Sequence, residues 1–140
     1  MSTPARHLLV PFVPLYRMAL GFRELRLRRG WEPIRRLRFP VISVGNLSTG
    51  GAGKTPFAIA LVQALAARGF AVDVLSRGYG RQSGAAARVR PEGSVEQFGD
   101  EPLLIAREAG VPVYVASERY EAGLLAEAEA EAEANPLRVH

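Results

Sequence analysis

The sequence predicts an α/β domain: a mainly parallel β-sheet with flanking helices, incomplete at its C-terminal end and preceded by a basic, amphipathic N-terminal segment. Three observations carry this prediction. From residue 41 onward, short β-branched runs alternate with helical patterns, the order that parallel strands joined by crossover helices require. The first run, Val41-Ile-Ser-Val44, passes through a glycine-rich turn directly into a helical pattern. Asn135-Pro136 then closes the last helical stretch, and Leu137-Arg-Val-His140 reads as the first residues of a further strand, so the pattern stops inside an element.

Residues 1–40 form the N-terminal segment. They hold nine arginines against Glu24 and Glu32, a net of +7, whereas the remainder is net −3. A basic segment ahead of a mildly acidic body suits an anionic partner, either a membrane surface or a nucleic acid. The apolar run from Leu8 to Phe22 is interrupted by Pro11, Pro14 and Arg17 and followed by Arg23, Arg26, Arg28 and Arg29. It is too broken for a bilayer span, which needs about 20 largely apolar residues, and it lacks a clear cleavage site for a secretory signal. Lying on a membrane surface fits it better. No nucleic-acid-binding motif accompanies the arginines, so nucleic acid is not expected as a partner.

Residues 41–140 form the second domain. A chain of 140 residues that is 48% hydrophobic can bury one ordinary core. The absence of cysteine excludes disulfides, thiolate metal sites and a cysteine nucleophile. After the first strand, Pro56 to Ala67 reads as a helix with Ile59, Val62, Leu65 and Ala66 on one face and Gly69 as its C-terminal cap. Phe70 to Leu75 is the next strand, followed by the loop Ser76-Arg-Gly-Tyr-Gly-Arg81. Residues 82–98 resist ordering, apart from a short extended piece at 87–89. Asp100 has the chemistry of an N-cap for a helix over 101–109 that Gly110 ends. Residues 111–116 are a third strand, and Ser117 is placed to cap a helix running to Ala134.

The chemistry begins with Ser48-Thr-Gly-Gly-Ala-Gly-Lys-Thr55 between a strand and a helix. Glycines allow the backbone to turn its N–H groups inward, and the helix N-terminus adds a favourable dipole for phosphate. Ser48, Thr49, Gly50, Gly51, Ala52 and Gly53 would form that cradle. Lys54 would reach the outer phosphates of a nucleoside triphosphate such as ATP, and the Thr55 hydroxyl would ligate Mg²⁺. Ser48 stands where the usual phosphate-loop pattern opens with glycine. Arg77 and Arg81 could clamp a phosphate, since guanidinium makes paired hydrogen bonds to it, although a solvated loop is the simpler reading. Arg119 in a first helical turn opposes the helix dipole, which an anionic ligand would offset, although plain surface exposure explains it equally well. Asp100 is either a helix cap or a base facing the phosphate loop, and spacing alone favours the cap. His7 and His140 suggest no metal site.

Four stretches in order, Val44-Gly-Asn-Leu-Ser-Thr-Gly-Gly-Ala-Gly-Lys-Thr-Pro56, Ser76-Arg-Gly-Tyr-Gly80, Gly99-Asp-Glu-Pro102 and Ser117-Glu-Arg-Tyr120, closely resemble the tetraacyldisaccharide 4'-kinase family. The family's phosphate loop also opens with Ser or Thr, so Ser48 fits under this resemblance. The resemblance implies a P-loop kinase domain over 41–140 and transfer of the ATP γ-phosphate to the 4'-hydroxyl of a tetraacyldisaccharide 1-phosphate, a lipid A precursor. It further implies that Asp100 acts as the base, that Arg119 supports phosphate or substrate binding, and that the protein works at the cytoplasmic face of the inner membrane; on the reading of the residues above, Lys54 is the other catalytic group and Arg77 a second substrate-binding residue. Family members continue past the point matching His140 into an Asp-Asp-Gly segment, so the sequence reads as the N-terminal part of such an enzyme, and these residues alone are expected to be inactive. The competing reading is a regulatory or metallochaperone-type P-loop NTPase, which lipid-dependent ATP consumption would separate from a kinase.

Overall fold

The computed structural model describes residues 13–30, 34–45, 53–130 and 137–140, in two compact units, Met1–Arg35 and Arg36–His140. The expected phosphate-cradling residues 48–52, the first residues of the arm and the expected helix end over 131–134 lie outside the described residues.

The first unit holds α1, Val13–Arg28. Pro14 is tolerated in its first turn, where the missing N–H has no intrahelical partner to lose. Met18, Phe22 and Leu25 recur at spacings of four and three, which lines them along one stripe, and all three are exposed. Arg26 and Arg28 occupy the last turn, where cations favour the helix dipole, and Arg28 also bonds Glu24 at 2.8 Å. No helix among the described residues is long and apolar enough to cross a membrane.

The second unit is an α/β sandwich. Its elements in order are α2 (Lys54–Ala66), β1 (Ala71–Val72), β2 (Val74–Ser76), β3 (Ala87–Arg88), α3 (Val95–Phe98), α4 (Asp100–Ala109), β4 (Val113–Val115), α5 (Arg119–Ala130) and β5 (Arg138–Val139). The expected strand over 70–75 forms as two pieces that break at Asp73, where the pairing partner changes. β1 pairs in parallel with β5, and β2 pairs in parallel with β4. Asp73 N donates to Val139 O and Val74 N to Pro112 O, so the break hands the strand from one neighbour to the other. The expected strand at 41–44 is not a regular strand. It is still tied to β5 in the parallel manner, because His140 N donates to Pro40 O and Ile42 N to His140 O. β3 is antiparallel to β4 and lies at the opposite side.

β4 explains why helices cover both faces of this sheet. Its residues are all buried, and alternate side chains enter different clusters. Val113 and Val115 pack with Phe98, Leu103, Ile105 and Ala106 on the α4 side. Tyr114 and Ala116 pack with Ala122 and Ala126 of α5 on the other. Tyr114 keeps a polar handle, its hydroxyl donating to Glu129 Oε2 at 2.9 Å. Burial first, then that carboxylate, pushes its phenol above the ordinary tyrosine range.

Several caps differ from expectation. Gly99 is the N-cap of α4, and Asp100 is the first helical residue, with Oδ1 accepting the Glu101 N–H at 2.8 Å. Ser117 does not cap α5, because its hydroxyl and its N–H both donate to Gly84 O, and the helix starts at Arg119. On α2, Val62 is buried and Ile59 and Leu65 are half-buried, but Ala66 faces solvent. That helix does close as expected: Gly69 N donates to Ala66 O and Phe70 N to Leu65 O, the paired bonds of a glycine-terminated helix. The short helix α3 was not foreseen, although Ser94 and Gln97 form the reciprocal capping box that their spacing signals.

Candidate phosphate-transfer site

In a sheet of this kind ligands bind beyond the carboxyl ends of the strands. β2 and β4 run side by side in parallel, with Ser76 opposite Val115. Arg77 follows the first directly and Ser117-Glu-Arg119 follows the second, so both arginines emerge at one edge, and both are exposed.

Gly53 is the N-cap of α2 in the left-handed conformation, φ 66°, which a side chain would resist. Phe57 N bonds back to Gly53 O at 3.1 Å, so Lys54 and Thr55 occupy the first turn. Lys54 is exposed, and a cavity of about 590 Å³ opens beside it, lined by Ile42, Val44, Gly45, Gly53, Phe57 and Leu61 among others. Thr55 is half-buried, and its hydroxyl donates to Glu101 Oε1 at 2.9 Å. The Asp-Glu pair at the start of α4 therefore lies against the start of α2. Asp100 itself is exposed.

The loop after β2 completes the group. A Cβ at Gly78 would lie 2.7 Å from Phe98 O, and one at Gly99 would lie 3.0 Å from Tyr79 O. The loop backbone thus rests on the residue that precedes Asp100. Arg81 points elsewhere: its Nη1 donates to Ala85 O at 2.7 Å, which makes it a brace for its own loop. Tyr79 is 94% exposed at the same edge. Among the described residues, Lys54, Thr55, Arg77, Asp100 and Arg119 all fall at this edge of the sheet. Glu101 joins them and had no role in the sequence reading, though its place in Gly-Asp-Glu-Pro put it next to a residue that did.

A second polar group was missed altogether. Asp73, Arg138, His140 and Glu127 are buried together. Arg138 Nη1 lies 2.6 Å from Asp73 Oδ2, His140 Nδ1 3.3 Å from the same oxygen, and His140 Nε2 3.9 Å from Glu127 Oε1. Glu127 Oε1 also accepts the backbone N–H groups of Arg38 and Phe39, and the Phe39 ring meets His140 edge-on at 5.6 Å. His140, for which the sequence suggested no role, thus helps tie the 36–40 segment to the sheet. No group of three or more His, Cys, Asp or Glu among the described residues is arranged to hold a metal ion.

The profile of one family, described as tetraacyldisaccharide-1-P 4'-kinase, matches residues 5–135. The tetraacyldisaccharide 4'-kinase of Acidovorax sp. (strain JS42) is 48% identical over 113 residues, 81% of this chain and 33% of that protein. The enzyme of the same name from Aeromonas salmonicida (strain A449) is 47% identical over 123 residues, 87% of this chain and 37% of that one. Among solved structures, LpxK from Aquifex aeolicus, crystallised in complex with ATP, superposes with a TM-score of 0.78 at 38% identity, covering 96% of this chain and 42% of that one. The chain spans about a third of the length of the curated relatives it matches.

Proposed function

We propose a function from one premise: this chain belongs to the tetraacyldisaccharide-1-P 4'-kinase family. It supplies the nucleotide-binding part of an ATP-dependent kinase that phosphorylates the 4'-hydroxyl of a tetraacyldisaccharide 1-phosphate, a step of lipid A biosynthesis. The observation that carries this reading is the meeting of the Gly53-Lys54-Thr55 turn with the start of α4, where Thr55 and Glu101 bond at 2.9 Å.

Phosphoryl transfer needs positioning and charge neutralisation more than covalent help from the protein. Lys54, in the first turn of α2, brings its charge to the outer phosphates. Mg²⁺ fits the donor here, because Thr55 Oγ1 is a hard oxygen of the kind it prefers and keeps its lone pairs while its proton goes to Glu101. When bound it would neutralise charge on the phosphates. Asp100, exposed one position before Glu101, accepts the proton of the attacking hydroxyl. Its Oδ1 is engaged by the Glu101 N–H, which leaves Oδ2 for that task. Arg77 and Arg119, emerging from neighbouring strands, offer forked donors to phosphate on the acceptor.

The arm accounts for a lipid acceptor. The exposed stripe of Met18, Phe22 and Leu25 next to arginines suits a helix lying in an anionic leaflet, which supports a site of action at the cytoplasmic face of the inner membrane. The decisive test is Lys54→Ala in the full-length protein, with ATP affinity and lipid-dependent ATP consumption both measured. Loss of about tenfold or more in affinity, with phosphorylation of the lipid abolished, is expected for removing a phosphate-binding charge. Unchanged affinity and turnover would remove Lys54 from the site and with it the kinase reading.

A further inference from the structure

We propose that Glu101 is a positioning residue for Thr55, setting the hydroxyl so that its lone pairs face the metal–nucleotide complex. The proposal rests on the kinase reading above, which gives the Glu101 carboxylate no chemical role of its own.

A threonine hydroxyl has one proton to donate and two lone pairs. With the proton given to Glu101 Oε1 at 2.9 Å, the lone pairs are what Oγ1 has left to offer, and they point away from the carboxylate. A charged acceptor also strengthens the bond and makes the oxygen a better cation ligand. Rotation about the Thr55 side chain is thereby settled before any ligand arrives.

The approach of Glu101 is fixed by helix pairing. α2 and α4 lie side by side, and a second bond joins them further along, Gln63 Nε2 to Glu108 O at 3.1 Å. From Thr55 to Gln63 is eight residues, and from Glu101 to Glu108 is seven, about two turns on each helix. Both contacts therefore belong to one register between parallel helices. Buried Pro102 and Leu103 hold that end of α4 in the core, immediately after Glu101.

The test is ATP binding by the full-length protein, measured by calorimetry with Mg²⁺ and again in EDTA, for the parent, Glu101→Ala, Glu101→Gln, Thr55→Val and the Thr55→Val/Glu101→Ala pair. Glu101→Ala is expected to bind ATP in EDTA as the parent does, and to lose about tenfold of the affinity that Mg²⁺ adds, the lower end of the range for removing a partner of a metal ligand. Glu101→Gln, whose amide oxygen still accepts the Thr55 proton, should keep most of it. Adding Glu101→Ala to Thr55→Val should cost nothing further, since the bond is already gone. The assignment is overturned if Glu101→Ala keeps the parent's response to Mg²⁺, if it weakens binding equally in EDTA, or if the two losses add. A parent that binds no ATP under either condition overturns the kinase reading and this assignment together, whereas ATP binding with an unaltered Mg²⁺ response in Glu101→Ala overturns this assignment alone.

Discussion

Asp73→Ala should be among the most destabilising single changes in the domain. The Asp73 and Arg138 side chains are 1% and 4% exposed and meet at 2.6 Å, so the ion pair is fully removed from water. The close contact between them offsets part of the desolvation cost of each. Removing one partner takes that offset from the other, a change that typically costs about 3–5 kcal/mol for a buried pair. With a thermal response of about 2–4 °C per kcal/mol, the value for domains of about 150–250 residues, the midpoint should fall by about 6–20 °C. The loss should also reach His140, whose Nδ1 lies 3.3 Å from the same carboxylate oxygen, and hence the pairing of residues 40–42 with β5. Thermal and urea unfolding of the full-length protein, followed by circular dichroism, would measure it. Asp73→Ala/Arg138→Leu is the control, because replacing both charges by apolar groups is often neutral or stabilising. A loss below about 1 kcal/mol in the single variant, against the expected range, would refute the reasoning. So would a double variant as unstable as the single one.

Two further outcomes are expected. Asp100 is the first helical residue rather than the cap, so Asp100→Asn keeps an acceptor for the Glu101 N–H and should leave folding and ATP affinity nearly unchanged. Lipid phosphorylation at saturating ATP should nevertheless fall by about 10² or more, the usual scale for losing a general base, and near-parental turnover would take Asp100 out of the mechanism. Deleting residues 1–35, which removes one compact unit and stops short of the Arg38 and Phe39 contacts with Glu127, should reduce co-sedimentation with anionic vesicles while leaving the remainder folded. Undiminished vesicle binding would mean that another surface anchors the protein.

The sequence made the alternation of strands and helices legible because β-branched runs, prolines in first turns and a glycine after α2 are local signals. Gly110 ends α4 in the left-handed conformation for the same reason. What it could not show is pairing. Val72-Asp73-Val74 reads as one strand, and nothing local says that the chain changes partner there. The caps failed where a side chain had a better distant use: the Ser117 hydroxyl goes to Gly84 O, thirty-three residues earlier in the chain. Arg81 could be a phosphate clamp or, more simply, part of a solvated loop by sequence, and tertiary placement turns it back onto Ala85. His140 was unreadable because both its carboxylate neighbours, Asp73 and Glu127, come from other elements. Glu127 was equally unreadable, because nothing local distinguishes this buried carboxylate from the other glutamates of the Ala/Glu run around it.

The candidate site is assembled by contacts that leave little room for adjustment. Gly99 has φ 86° and Gly78 φ 59°; a Cβ at Gly99 would press on backbone alone, and one at Gly78 would press on Phe98 O at 2.7 Å as well as on the Arg81 side chain. These two glycines therefore let the Arg77 loop and the start of α4 touch main chain to main chain. The Thr55–Glu101 bond then joins α4 to the Lys54 turn. Asp100 sits between the two contacts, adjacent in sequence to Gly99 on one side and Glu101 on the other. A shift of the Arg77 loop would be passed through Gly99 to Asp100, and a shift of the Lys54 turn would reach it through Glu101. Three motifs well apart along the chain are thus coupled through the tripeptide Gly99-Asp100-Glu101, and the group expected to take the proton is the one whose position both contacts determine.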